Sequence, residues 1–155
     1  TLEYVANETA VWLEITTLLI PGLNDSTSEI DAMSRWLVDH LGRDVPHHFT
    51  AFHPDFKMRD RAATPSATLT RARKIASDNG ERYVYTGNVH DPVGQSTSCH
   101  GCGAILIERD WYKLGAWNLD NESRCDRCGV SCAGVFESEP GKWGSRRLPV
   151  RMTGR

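Results

Sequence analysis

Two Cys-x-x-Cys pairs, Cys99/Cys102 and Cys125/Cys128, constrain this chain more than any other feature in it. Each runs straight into glycine, as Cys99-His100-Gly101-Cys102-Gly103 and Cys125-Asp126-Arg127-Cys128-Gly129. Two thiolates three positions apart, on a turn loosened by glycine, grip one ion from two directions. A second such turn completes a tetrahedron of four sulfurs. Residues 103–124, between the pairs, are enough for a hairpin that closes on itself. The donors suit zinc in a closed structural site or iron in a rubredoxin-like one, because the same sulfur cage accepts either ion. Cys132, the leftover thiol, is expected to be a buried structural cysteine, and His100 to face solvent on its turn.

With 155 residues, 39% hydrophobic and 25% charged, the chain can build a packed core. Its net charge of −2 gives no global reason to expect nucleic acid as a partner. No apolar run approaches the roughly 18 residues of a membrane span. No basic stretch followed by an apolar one opens the chain, so its paired cysteines point to metal rather than disulfides and to a reducing, cytoplasmic setting. The first residues, Thr1-Leu2-Glu3-Tyr4, include no methionine, and the chain is expected to be a piece of a longer one.

Residues 1–9 read as the end of a helix, with Leu2 and Val5 on one face. Residues 11–20 are β-branched and nearly continuously apolar, as in a strand covered on both faces. Pro21-Gly22 ends it, and Ser26-x-x-Glu29 forms a capping box for a helix whose Ile30, Met33, Leu37 and Leu41 share a face, stopped by Gly42. A second strand runs through His47–His53, with Phe49, Ala51 and His53 alternating against His48, Thr50 and Phe52. A second helix from about Ser66 to Asn79, a third strand from Tyr83 to Asn88 and a linker from Asp91 to Ser98 follow. A hairpin (Ala104–Arg109, Tyr112–Trp117) joins the knuckles.

This order makes the chain α/β, and β-α-β-α-β with short connections implies parallel strands. Three such strands with two helices leave one face uncovered, so residues 1–95 read as the C-terminal portion of a larger (β/α) barrel. Residues 96–140 form a four-cysteine, zinc-ribbon or rubredoxin-like module, and 141–155 a basic tail with Arg146, Arg147, Arg151 and Arg155.

The run from Trp12 through Glu14 to Pro21-Gly22-Leu23-Asn24-Asp25 resembles a late strand of radical S-adenosylmethionine enzymes. Further matches are His48-Phe49-Thr50-Ala51-Phe52-His53-Pro54, Thr64-Pro65, Tyr83-Val84-Tyr85-Thr86-Gly87-Asn88-Val89 and both cysteine pairs. Together they resemble the radical enzyme of the AmmeMemoRadiSam system, related to pyruvate formate-lyase activating enzymes. The resemblance implies a partial barrel with a [4Fe-4S] cluster and S-adenosylmethionine, which together generate a 5′-deoxyadenosyl radical. It also implies a Cys-x-x-x-Cys-x-x-Cys loop that this sequence lacks, so the chain alone is expected to be inactive.

His53, at a strand's carboxyl end where barrel enzymes gather their chemistry, matches a cofactor-lining histidine of that family or else caps the strand. Glu14, a carboxylate in an apolar run, is expected to face the lumen with Thr16 and Leu18, near cofactor or substrate, or to pair with a strand outside the chain. Asn24, Asp25 and Asn88 read as turn and cap residues, Lys57, Arg59 and Arg61 as a solvated loop, and His47 and His48 as packing and surface residues. The expected partners are the N-terminal half of the barrel and a protein or small-molecule substrate, with neither membrane nor nucleic acid. The alternative is a non-catalytic zinc-ribbon binding module.

Overall fold

The computed structural model describes residues 1–137 and 139–141; the basic tail read from Lys142 onward lies outside them. The elements are α1 (Leu2–Glu8), β1 (Ile15–Leu19), α2 (Thr27–Leu41), β2 (His47–Ala51), α3 (Ser66–Asp78), β3 (Val84–Gly87), α4 (Pro92–Gln95), β4 (Thr97–Ser98), β5 (Ile105–Asp110) and β6 (Lys113–Trp117). They make a mixed α/β fold of two sheets, β1-β2-β3 and β4-β5-β6.

The first sheet is parallel throughout, as the alternation of strands and helices requires. Ile15 lies opposite His47, Leu19 opposite Ala51, and His47 opposite Val84. The α2 helix starts where the Ser26 hydroxyl accepts the Glu29 N–H at 3.2 Å, a cap whose loss costs about 1 kcal/mol. It stops at Gly42, whose φ of +92° suits only glycine. Ile30 from α2 and Leu69, Ala72 and Ala76 from α3 meet Leu19, Phe49 and Val84 in one buried cluster. Both helices therefore cover the same sheet face. Truncating Phe49 to alanine there would cost about 3–5 kcal/mol.

The other face carries Thr16 and Leu18, both exposed, with His48, Thr50, Tyr85 and Gly87 partly covered. The first strand is shorter than predicted, because residues 11–14 are not paired into the sheet. The second ends at Ala51 rather than His53. Phe52 donates its N–H to the Thr64 hydroxyl and its carbonyl accepts the Thr64 N–H, each at 3.0 Å, which draws the chain into the loop. Phe52 is thereby buried and His53 exposed.

The second sheet is antiparallel and holds the predicted hairpin as β5 and β6. The presumed linker contains α4 and β4 instead of coil, because the Asp91 carboxylate accepts the Gly94 N–H at 2.9 Å and nucleates a turn. The strand segment and the cysteine-bearing segment share a buried cluster. Tyr83, just before β3, is buried with Cys99, Leu106, Ile107, Cys125 and Cys132, and Tyr85 of β3 packs against that cluster.

Candidate metal centre

Gly103 (φ +72°) and Gly129 (φ +74°) close the two cysteine turns in the left-handed region, as the glycine after each pair predicts. In each, the glycine N–H donates to the carbonyl of the first cysteine at 2.8 Å. The turns face each other: Cys99 Sγ lies 3.5 Å from Cys128 Sγ, and Cys102 Sγ 3.8 Å from Cys125 Sγ. A zinc–sulfur bond of about 2.3 Å sets a tetrahedral sulfur–sulfur edge of about 3.8 Å, so the cage fits one ion. No S–S bond joins these sulfurs, and all five cysteines are free thiols. The four sulfurs lie within 4.8 Å of one another. A [4Fe-4S] cluster does not fit, because a cubane spreads its thiolates over four separate irons.

The cage is half in and half out of the protein. Cys99 and Cys125 are buried, and Cys102 and Cys128 are exposed. Burial pushes the Cys99 thiol up, but the Cys102 and Gly101 N–H groups, with the Cys128 and Cys102 thiols, outweigh it and bring it down to about 7. At Cys128 the Val130 N–H pulls downward, and burial with the neighbouring thiol groups overcomes it, pushing the pKa up to about 12. Four ligands fill a tetrahedral ion completely, so the centre can hold shape or, with iron, an electron, and has no position for substrate.

Asp120 shapes the approach to the second turn, its carboxylate accepting the Glu122 and Arg124 N–H groups at 2.9 Å each. The Arg124 and then the Glu122 N–H hold that carboxyl below its usual range. The sequence reading passed over it, although Asp-x-Glu is a recognisable Asx turn. Cys132 is buried as expected, and His100 is exposed, its ring edge-on to Tyr83 with centroids 6.3 Å apart.

The residues proposed for the barrel lumen do not converge. Glu14 precedes β1, and its carboxylate takes the Trp12 indole N–H at 2.9 Å and His48 Nε2 at 3.2 Å, so its partner comes from the adjacent strand. Thr16 and Leu18 share its exposed face. His53 lies past the other end of β2, a strand length of about 16 Å away. Asn24 and Asp25 are turn residues, accepting the Ile20 and Gly22 N–H groups at 2.7 and 2.8 Å. Asn88 ties the end of β3 to the Ala51 carbonyl at 3.2 Å. Arg61 reaches the Pro21 carbonyl at 3.4 Å, while Lys57 and Arg59 are exposed.

His47 packs in the core as expected, fully buried and bonded through Nδ1 to Glu81 at 3.0 Å and through Nε2 to Thr17 at 2.9 Å. The sequence reading missed a second constellation entirely. His48 stacks on Tyr85 at 4.9 Å, and the Arg109 guanidinium lies 5.8 Å over the same ring. Strand alternation put His48 and Tyr85 on the open face, but nothing in the sequence joined Arg109 to them.

No family model matches the chain, and no solved structure matches it. Among curated proteins it is 42% identical over 126 residues to the uncharacterized protein MJ0808 of Methanocaldococcus jannaschii. The match covers 81% of this chain and 38% of that relative, so the chain spans well under half the relative's length. Among the described residues, no helix is long and apolar enough to cross a membrane.

Proposed function

We propose that this chain is the C-terminal portion of a radical S-adenosylmethionine enzyme of the activating-enzyme type. It supplies the last barrel strands and a structural metal module, zinc being the favoured ion. The observation that carries the reading is a parallel sheet with strands in sequence order, helices on one face only, and polar side chains at Glu14, Thr16, His48 and Thr50 on the other. A barrel wall has that asymmetry, since its helices form an outer ring and its inner face lines a shared interior. The longer curated relative has room for further strands.

The chemistry is divided accordingly. Cluster and S-adenosylmethionine, when bound in the whole enzyme, supply a 5′-deoxyadenosyl radical. Four of the five cysteines here are committed to one ion, so the cluster ligands belong to the N-terminal half. His53 and Asn88, at the carboxyl ends of β2 and β3, sit where this chain meets the cofactor side of the barrel. Glu14, Thr16 and Leu18 line the interior beside cofactor or substrate. A reducing, cytoplasmic setting accompanies the reading, because cysteines that ligate an ion must stay unoxidised.

The reading frame upstream of Thr1 is expected to encode a Cys-x-x-x-Cys-x-x-Cys loop. The full-length protein, reconstituted anaerobically and reduced, is expected to release 5′-deoxyadenosine from S-adenosylmethionine, and the present chain none. A full-length protein that binds only the single ion and cleaves nothing would replace this reading with a non-catalytic zinc-ribbon module, which the closed four-sulfur centre favours.

A further inference from the structure

A cleft of about 780 Å³ lies between the open face of β3 and the β5–β6 hairpin. Its walls are aromatic: Trp12 and Tyr85 on the sheet side, Trp111, Tyr112 and Trp117 on the hairpin, and Phe136 beyond the cysteines. Apolar lining alone names no ligand, but the charges beside it do.

Arg109, half-buried in the cleft wall, donates from Nη1 to the Thr97 hydroxyl at 2.6 Å and lies over Tyr85. It makes no ion pair among the described residues, so most of its guanidinium donors have no carboxylate to meet. A partly desolvated cation with spare donors is stabilised by a bidentate anion. Glu14, across the cleft, is already engaged by His48 and Trp12. Glu137 and Glu139 also line the cleft, and their negative charge disfavours a multiply charged anion more than a singly charged one.

We propose that this cleft binds a planar aromatic monocarboxylate, its carboxylate on Arg109 and its ring against the aromatic walls. The proposal goes beyond the radical-enzyme reading and does not depend on it.

Isothermal titration of the metal-loaded chain with 2-naphthoate, 2-naphthalenemethanol and 2-naphthylmethylammonium tests it. The carboxylate is expected to bind roughly tenfold or more tightly than the neutral alcohol. Arg109→Gln is expected to bring the carboxylate to the alcohol's level with metal content unchanged, and Arg109→Lys to restore part of the preference. Should Arg109→Gln lose the metal, the charge series on the unaltered chain decides alone. An ammonium that binds as tightly as the carboxylate overturns the proposal. So does saturable binding of none of the three, or a preference that survives Arg109→Gln.

Discussion

The Tyr83 hydroxyl accepts the Ala133 N–H at 2.9 Å, fastening the start of β3 to the segment just beyond the second cysteine pair. Tyr83 is buried beside Cys99, Cys125 and Cys132, so sheet and metal centre share one core. Burial, only partly opposed by the Ala133 N–H, raises the phenol above its ordinary range and keeps it neutral.

Tyr83→Phe preserves the buried ring and removes the hydroxyl, which accepts from Ala133 and also bonds the Cys132 thiol. The Ala133 N–H then loses its partner, which costs about 1–3 kcal/mol when water does not replace it. Urea unfolding of the metal-loaded protein is expected to shift by that amount, with metal content unchanged. An unaltered midpoint would show that the two sheets are not coupled through this bond.

Elemental analysis is expected to find one ion per chain, lost in Cys99→Ser and in Cys125→Ser. Retention in both variants would refute the four-sulfur cage. Zinc gives a colourless protein, and iron gives visible charge-transfer absorption. With Cys128 at about 12 and Cys99 at about 7 in the metal-free cage, binding at neutral pH must expel protons, because only thiolates ligate. Calorimetry in buffers of different ionisation enthalpy is expected to show that release, and affinity is expected to fall as pH drops. Equal apparent enthalpies in all buffers would contradict it.

The sequence made local features legible because local rules place them. Ser26 with Glu29, Gly42, the apolar stripes of α2 and α3, and the cysteine turns all depend on neighbours within a few positions. Relationships made by tertiary pairing were not legible. His47 meets Glu81 across 34 positions, and Glu14 meets His48 across the same interval, with no periodicity to announce either. An aromatic residue in a strand serves whichever core it faces, and Tyr83 and Tyr85 face the metal module. Strand ends were not legible either, since alternation assigns faces but does not say where a strand stops: β2 ends at Ala51, short of His53.

His48 is open to a direct titration. Burial lowers its pKa below 6.5, and the opposing pull of Glu14 is the weaker effect. The folded protein thus holds this proton less tightly than the unfolded chain does. Its contribution to stability is full above 6.5 and declines as pH falls from there toward the folded value. NMR titration of the His48 ring is expected to give a midpoint below 6.5, and Glu14→Gln to lower it further. A midpoint above 6.5 would mean that the Glu14 ion pair governs instead.

The two cysteine turns touch at Gly101. A Cβ there would sit 2.8 Å from Val130 Cγ2, closer than real carbon contacts allow. Val130 is β-branched and stiff about its first torsion, so its methyl cannot simply swing aside. Gly101→Ala is therefore expected to push the turns apart and to weaken metal binding in competition with a chelator. Removing the obstruction reverses the effect: in the Gly101→Ala, Val130→Ala double variant much of the lost affinity is expected to return. The coupling between the two sites should fall within the range of about 0.5–3 kcal/mol seen for residues in contact. If the two substitutions weaken binding additively, the turns do not meet through this pair, and something other than their close approach sets the size of the cage.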